Sequence, residues 1–185
     1  MLELRTAIVR AAAGGGSVAL PGSLRTVVLV EGASDLAAVE AAAERVSADL
    51  DGVVIVPMGG AMSIRRFMQL LPGMRVVGLC DAAEAGHFER AGVETIIICD
   101  PDLEWELMRA LGHDRVIAVL EQEGDLAAFR VFQNQPAQRE RTLDRQLHRF
   151  FGTIGGRKEK YGRALTAALE ADELPAPLVT LLAAL

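Results

Sequence analysis

The sequence predicts an α/β fold, a parallel sheet of about four strands with flanking helices and a helical C-terminal extension. Three observations predict it. Short β-branched runs recur through the first half of the chain, helix-length amphipathic stretches separate them, and after Asp102 the strand pattern stops.

The first run, Thr26-Val27-Val28-Leu29-Val30, is continuously apolar, as strands buried on both faces of a parallel sheet are. Val53–Val56, Arg75–Cys80 and Glu94–Cys99 repeat the signal. The intervals read as helices over Ser34–Ala48, Met62–Leu71 and Glu84–Ala91, and in the first of these Leu36, Val39, Ala43 and Val46 share a face. Strands and helices alternating in this way make right-handed crossovers and a doubly wound sheet. Beyond it, helical segments are expected at 103–111, 114–122, 125–134, 138–150, 157–171 and 176–184, punctuated by glycines and prolines such as Gly112, Gly124, Pro136 and Pro175. With 185 residues, a single well-filled core is expected. Within it, residues 1–24 read as an N-terminal helix and flexible lead-in, 25–112 as the α/β core, and 113–185 as a helical extension packed on that core.

Composition narrows the class. About half of the residues are apolar and a quarter charged, as in an ordinary globular protein and unlike a disordered one. Cys80 and Cys99 each end an apolar run without CxxC or Cys/His spacing, so both are expected to be core thiols in a reducing compartment. Glu3 and Arg10 interrupt the N-terminal apolar stretch and no run is long enough to span a bilayer, so the expected location is cytoplasmic, away from membranes. The net charge of −6 is unevenly spread. Residues 130–163 carry nine Lys/Arg against three acids, or +6, which leaves −12 on the remainder. The basic stretch fits a nucleic-acid face and a solvated helical face equally well.

In an open parallel sheet, ligands bind outside the carboxyl ends of the strands. Glu31, Asp81 and Asp100 follow three of the four predicted strands, and Asp35 lies one helical turn beyond Glu31. The other strand runs into Gly59-Gly60, which would let a phosphate or a backbone approach closely. Carboxylates gathered at one edge raise one another's pKa, and a bound cation relieves that cost. Oxygen donors without His or Cys indicate Mg²⁺ or Mn²⁺.

Glu31-Gly32 with Asp35, then Gly59-Gly60, then an apolar strand ending at Asp81, resembles the TOPRIM domain of topoisomerases, primases and nucleases. Within that superfamily it is most similar to the TOPRIM domain of the overcoming lysogenization defect (OLD) nucleases, with a Leu103-Glu104 pair and a late Gly156-Arg157-Lys158 as further points of likeness. The resemblance implies a Rossmann-like TOPRIM core and a Mg²⁺- or Mn²⁺-dependent, endonuclease-type hydrolase acting on nucleic acid, DNA favoured. Glu31 and Asp35 would hold one metal with Asp81 bridging, Glu104 with Asp102 would serve a second, and Glu84 would stand in for a missing acid. Lys158 would meet the scissile phosphate, with Arg157 and Lys160 beside it on the nucleic acid. Glu31 and Lys158 would be the catalytic pair.

The sequence departs from the family at two points. The usual Asp-x-Asp is here Asp81-Ala82-Ala83-Glu84, and no GxxxxGK[ST] loop supplies the ATPase that OLD nucleases carry, so the chain is expected to act as a stand-alone protein or with a separate ATPase partner. Two other readings stay open: an RNA-processing TOPRIM nuclease, and a catalytically silent nucleic-acid-binding or partner-binding module. His87, His113 and His148 share no helical spacing and are expected to take no part in the site. Trp105 is expected to anchor its helix, Asp102 to cap it, Tyr161 to pack or touch phosphate, and Arg65 and Arg66 to be solvated.

Overall fold

The computed structural model describes residues 1–185. Four strands, β1 (Thr26–Val30), β2 (Val53–Pro57), β3 (Arg75–Asp81) and β4 (Thr95–Cys99), form one parallel sheet in the order β2-β1-β3-β4. Val30 is in register with Pro57 on one side and Leu79 on the other, and Asp81 with Cys99. The chain leaves β1 for β2 on one flank and returns to β3 on the other. The β1/β3 boundary is therefore the topological switch point, and Glu31 and Asp81 stand at its carboxyl edge.

Alternate strand residues feed two cores. Val28, Val30, Ile55, Val77 and Leu79 pack with α2 (Ala33–Val46), α5 (Leu103–Leu111) and the later helices α6 (His113–Gln122), α7 (Leu126–Gln133), α8 (Leu143–Phe151), α9 (Arg157–Ala167) and α10 (Ala176–Ala183). Val27, Leu29, Val54, Val56 and Val76 pack with α1 (Leu2–Gly14), α3 (Ile64–Leu70) and α4 (Ala85–Arg90). The continuous apolar strand runs follow from burial on both faces. Cys80 and Cys99 are free buried thiols, and no helix is long and apolar enough to cross a membrane.

The strands fall where the apolar runs place them, whereas several helix ends differ. The N-terminal helix runs on through Gly14, and Gly15 closes it in the left-handed conformation. From that helix Arg5 Nε donates to the Ile55 carbonyl at 2.7 Å, covering the outer edge of β2. The helix expected from Met62 begins as a 3₁₀ turn, Ala61–Ser63. The one expected from 138 starts at Leu143, because Thr142 is its N-cap, accepting from the Arg145 N–H. The one expected to reach 171 ends at Ala167.

Candidate metal centre

Glu31 leaves β1 directly over the switch point, and its Oε1 accepts the Asp81 N–H at 2.9 Å. One turn on, Asp35 occupies the third position of α2 and accepts the Gly32 N–H at 2.8 Å, the acidic half of a capping box. Glycine cannot supply the reciprocal side-chain bond. Asp35 is nonetheless buried, at 8 % exposure. Asp81 ends β3, and Asp102 caps α5, its Oδ1 accepting the Trp105 N–H at 2.9 Å. Glu104, in the first turn of α5, is 5 % exposed.

These acids act on one another electrostatically. Burial, reinforced by Glu31, Asp35, Asp102 and Glu104, pushes Asp81 up to about 8. Burial, with Glu104 and Glu31, raises Asp35 to about 7. Burial also raises Glu31, against the Asp81 N–H and with Glu84 and Glu104 adding to the rise. Asp102 goes the other way. Burial would raise it, but hydrogen bonds from His148 and the Trp105 N–H hold it below the usual carboxylate value.

One cation enters the group. Lys158, in the first turn of α9, places Nζ 3.1 Å from Glu104 Oε1. That buried oxygen makes no well-directed hydrogen bond, so the contact is chiefly one of charge. Burial lowers the Lys158 ammonium, and Glu104, Asp102 and Asp81 outweigh it, so Lys158 is held charged above its ordinary value.

The other sequence expectations fall in different places. Glu84 is the N-cap of α4 without a side-chain cap bond, and its charge is felt at Glu31. Asp100 is exposed, and its N–H donates to Glu106, so Asp102 takes the role expected of a β4-end acid. Arg157 and Lys160 leave the helix in directions other than that of Lys158. The Arg157 guanidinium lies 4.0 Å over the Phe150 ring and 3.4 Å from Asp125, with its side chain 10 % exposed. Lys160 pairs with Glu123 and Asp125. Neither cation is free in this arrangement, because Asp125 takes both. Tyr161 is fully buried, stacks on Phe151 and donates to Asp125 at 3.0 Å. It packs, and does not reach phosphate.

His148 corrects the expectation that the histidines stand apart. Its Nε2 lies 2.8 Å from Asp102 Oδ2, and its ring sits 5.6 Å from that of Trp105. Asp102, Glu104 and His148 each bring a donor atom within 4.8 Å of the other two. The separation of 46 residues between His148 and Asp102 left no spacing signal; only the packing of α8 on α5 joins them. The donor set suits a divalent cation: carboxylate oxygens dominate, Asp35 and Asp81 stay raised by burial and by their acidic neighbours, and Glu104 Oε1 has acceptor capacity to spare.

Comparison with known families bears on the same edge of the sheet. Residues 24–82 match the family model of the overcoming lysogenization defect protein-like TOPRIM domain. The matched segment contains Glu31, Asp35 and Asp81. Asp102, Glu104, His148 and Lys158 come from residues beyond it. The C-terminal region of the Burkholderia pseudomallei OLD protein has a similar fold, with a TM-score of 0.65 over 87 % of this chain and 96 % of that one, at 20 % identity. The C-terminal region of the Xanthomonas campestris pv. campestris OLD protein is also similar, with a TM-score of 0.63 over 86 % of this chain and 93 % of that one, at 23 % identity. The likeness therefore takes in the helical layer as well as the matched segment. No curated protein matches the chain in sequence.

Proposed function

We propose that the protein is a Mg²⁺- or Mn²⁺-dependent nuclease that hydrolyses phosphodiesters of nucleic acid, with DNA favoured. The observation that carries this reading is the coupled set of buried and half-buried acids at the carboxyl edge with one lysine among them. Glu31, Asp35 and Asp81 would hold one ion, and Asp102 and Glu104 a second, with Glu84 at the rim. A divalent ion bound there supplies Lewis-acid stabilisation of the phosphate and lowers the pKa of water.

The chain's own residues do the rest. In the metal-free protein Lys158 neutralises Glu104. Once Glu104 is engaged elsewhere, Nζ is released to donate to a non-bridging phosphate oxygen, where a fixed cation stabilises the charge that grows as water adds to phosphorus and the ester oxygen leaves. Asp102 is kept ionised by His148 and the Trp105 N–H. The Asp81 N–H holds Glu31 in line with the second acid of the edge.

A second reading, a metal-binding but catalytically silent module, rests on Ala83, which is exposed where the family places its second acid. Single-stranded DNA, duplex DNA and RNA incubated in Mg²⁺ and then Mn²⁺, beside Glu31→Gln and Asp81→Asn, decide between the two. Cleavage that needs metal and disappears in both variants supports the nuclease, and the preferred substrate distinguishes a DNA enzyme from an RNA-processing one. Binding without cleavage in every metal leaves the silent module.

A further inference from the structure

Five arginines between residues 130 and 149 are exposed and make no ion pair: Arg130, Arg139, Arg141, Arg145 and Arg149. They are a different population from Arg157, Lys160 and Arg163, whose charges Asp125, Glu123 and Glu44 take up. Of the acids in the same stretch, Asp144 is held by His113 at 2.7 Å.

Their placement is ordered. Arg145 and Arg149 are four residues apart on α8, so they stack on one helix face about 6 Å apart along the axis. Arg141 precedes the helix, one residue before the Thr142 cap, with its Nε bonded to the Ala137 carbonyl. The opposite face, Leu147, Phe150 and Phe151, is buried. Two contacts tie the far end of the row to the metal centre. His148, next to Arg149, touches Asp102. Gly152, which ends α8, lies so near Lys158 that a Cβ there would stand 3.8 Å from Lys158 Cε.

We infer that Arg141, Arg145 and Arg149 form a phosphate track along α8 that lays duplex DNA across the protein and leads its backbone to Lys158. The inference rests on the nuclease reading above and gives it a substrate path. Arg145 and Arg149, about 6 Å apart along the axis, cover about two nucleotides of one strand, and Arg141 precedes them at the start of the helix. Free guanidinium groups suit phosphate oxygens, to which they donate in pairs. The acids of the centre would repel a polyanion, so a net-acidic protein needs a local basic approach beside them.

The test uses the full chain and a fluorescent 30-base-pair duplex in Ca²⁺, with anisotropy read across a salt series. R141Q/R145Q/R149Q is expected to bind at least tenfold more weakly, with the slope of log K against log salt shallower by about 2.7, or 0.9 for each lost phosphate contact. R141K/R145K/R149K, which keeps the charge, is expected to retain most of the slope, and circular dichroism confirms that both variants fold. Hydrolysis of bis(p-nitrophenyl) phosphate, which has no backbone to track, is expected to be unchanged in both. An unaltered slope in the glutamine variant overturns the track and leaves the nuclease reading intact. So does an equal loss in R65Q/R66Q, whose exposed arginines lie on α3 in the other layer. Absence of bis(p-nitrophenyl) phosphate hydrolysis in the parent protein, with the binding loss present, removes the nuclease reading and keeps the track.

Discussion

Gly162 of α9 lies directly against the backbone carbonyl of Ser34 in α2: a Cβ at Gly162 would overlap the Ser34 oxygen and stand 3.1 Å from its carbonyl carbon. Ser34 adjoins Asp35, and Gly162 is one helical turn beyond Lys158, so this contact sets the distance at which the lysine faces the acids.

Gly162→Ala therefore pits two effects against each other. Alanine favours a helix by up to about 1 kcal/mol over glycine. The overlap is with backbone, which cannot swing aside, and overpacking of this kind costs about 1–3 kcal/mol. The variant is expected to be less stable in a urea melt, and its cleavage rate to fall further than the stability loss explains. A more stable G162A with full activity would mean that the two helices can separate without harm to the site.

Lys158→Ala is expected to lower turnover strongly and metal affinity little, since the lysine faces phosphate while the carboxylates hold the ion. The metal-free variant should also melt earlier, because Glu104 at 6 % side-chain exposure loses its counter-charge. Turnover equal to that of the parent would remove Lys158 from the reaction.

The raised carboxyl groups make the stability of the metal-free protein fall with pH. In the unfolded chain Asp35 and Asp81 lose their protons near the ordinary value of 3.8, whereas in the folded protein they hold them to about 7 and about 8. Between those limits the unfolded state binds fewer protons, so stability declines across the window and levels off above it. The two groups are coupled, so the loss is smaller than the sum of their separate displacements, and it should read as a fall of several degrees in Tm. Melts in chelator from pH 4 to 9 should show this decline, and added Mg²⁺ should reverse it at pH 8.5 while doing little at pH 5. A flat profile in chelator would mean that the acids do not share a site.

His148→Ala is expected to weaken metal binding about tenfold or more, as loss of a partner that orients a ligand does. Isothermal titration with Mn²⁺ reads this directly, and His148→Asn, which retains a donor, should recover part of the loss. Unchanged affinity in the alanine variant would make His148 a packing partner of Trp105 and no more.

Ala83→Asp places a carboxylate where the family's second acid stands. The exposed position accepts it without repacking. A gain in Mn²⁺ stoichiometry, or in turnover, is expected if the second ion is the weak part of this centre. No gain in either would mean that Glu84 already fills the need.

The sheet and its acidic edge were legible because their signals are local. A β-branched run marks a strand wherever it pairs, and the residue after it reaches the carboxyl edge by construction. Glu31 and Asp81 follow from that, Asp35 from lying one helical turn beyond Glu31, while the same rule also gives Asp100, which is exposed. Lys158 was separable from Arg157 and Lys160 only in three dimensions: neighbours on a helix point about 100° apart, and Asp125, on a different element, decides which of the three cations is already engaged. His148 had no local signal, because its partner is fixed by the packing of α8 on α5. The start of α8 went astray for a smaller reason, the Thr142 cap competing with a helical pattern that begins earlier.

The two cores on either side of the sheet divide the labour unequally. Of the ionisable groups that meet the carboxyl-edge acids from outside the matched segment, Glu84 caps α4, whereas Asp102 caps α5 and Glu104, His148 and Lys158 lie on α5, α8 and α9. The lysine arrives last in the chain, some 77 residues after Asp81. A newly made chain thus exposes its repelling carboxylates first and acquires the lysine that faces them when α9 docks. The order of synthesis keeps the centre unfinished until the fold around it is complete.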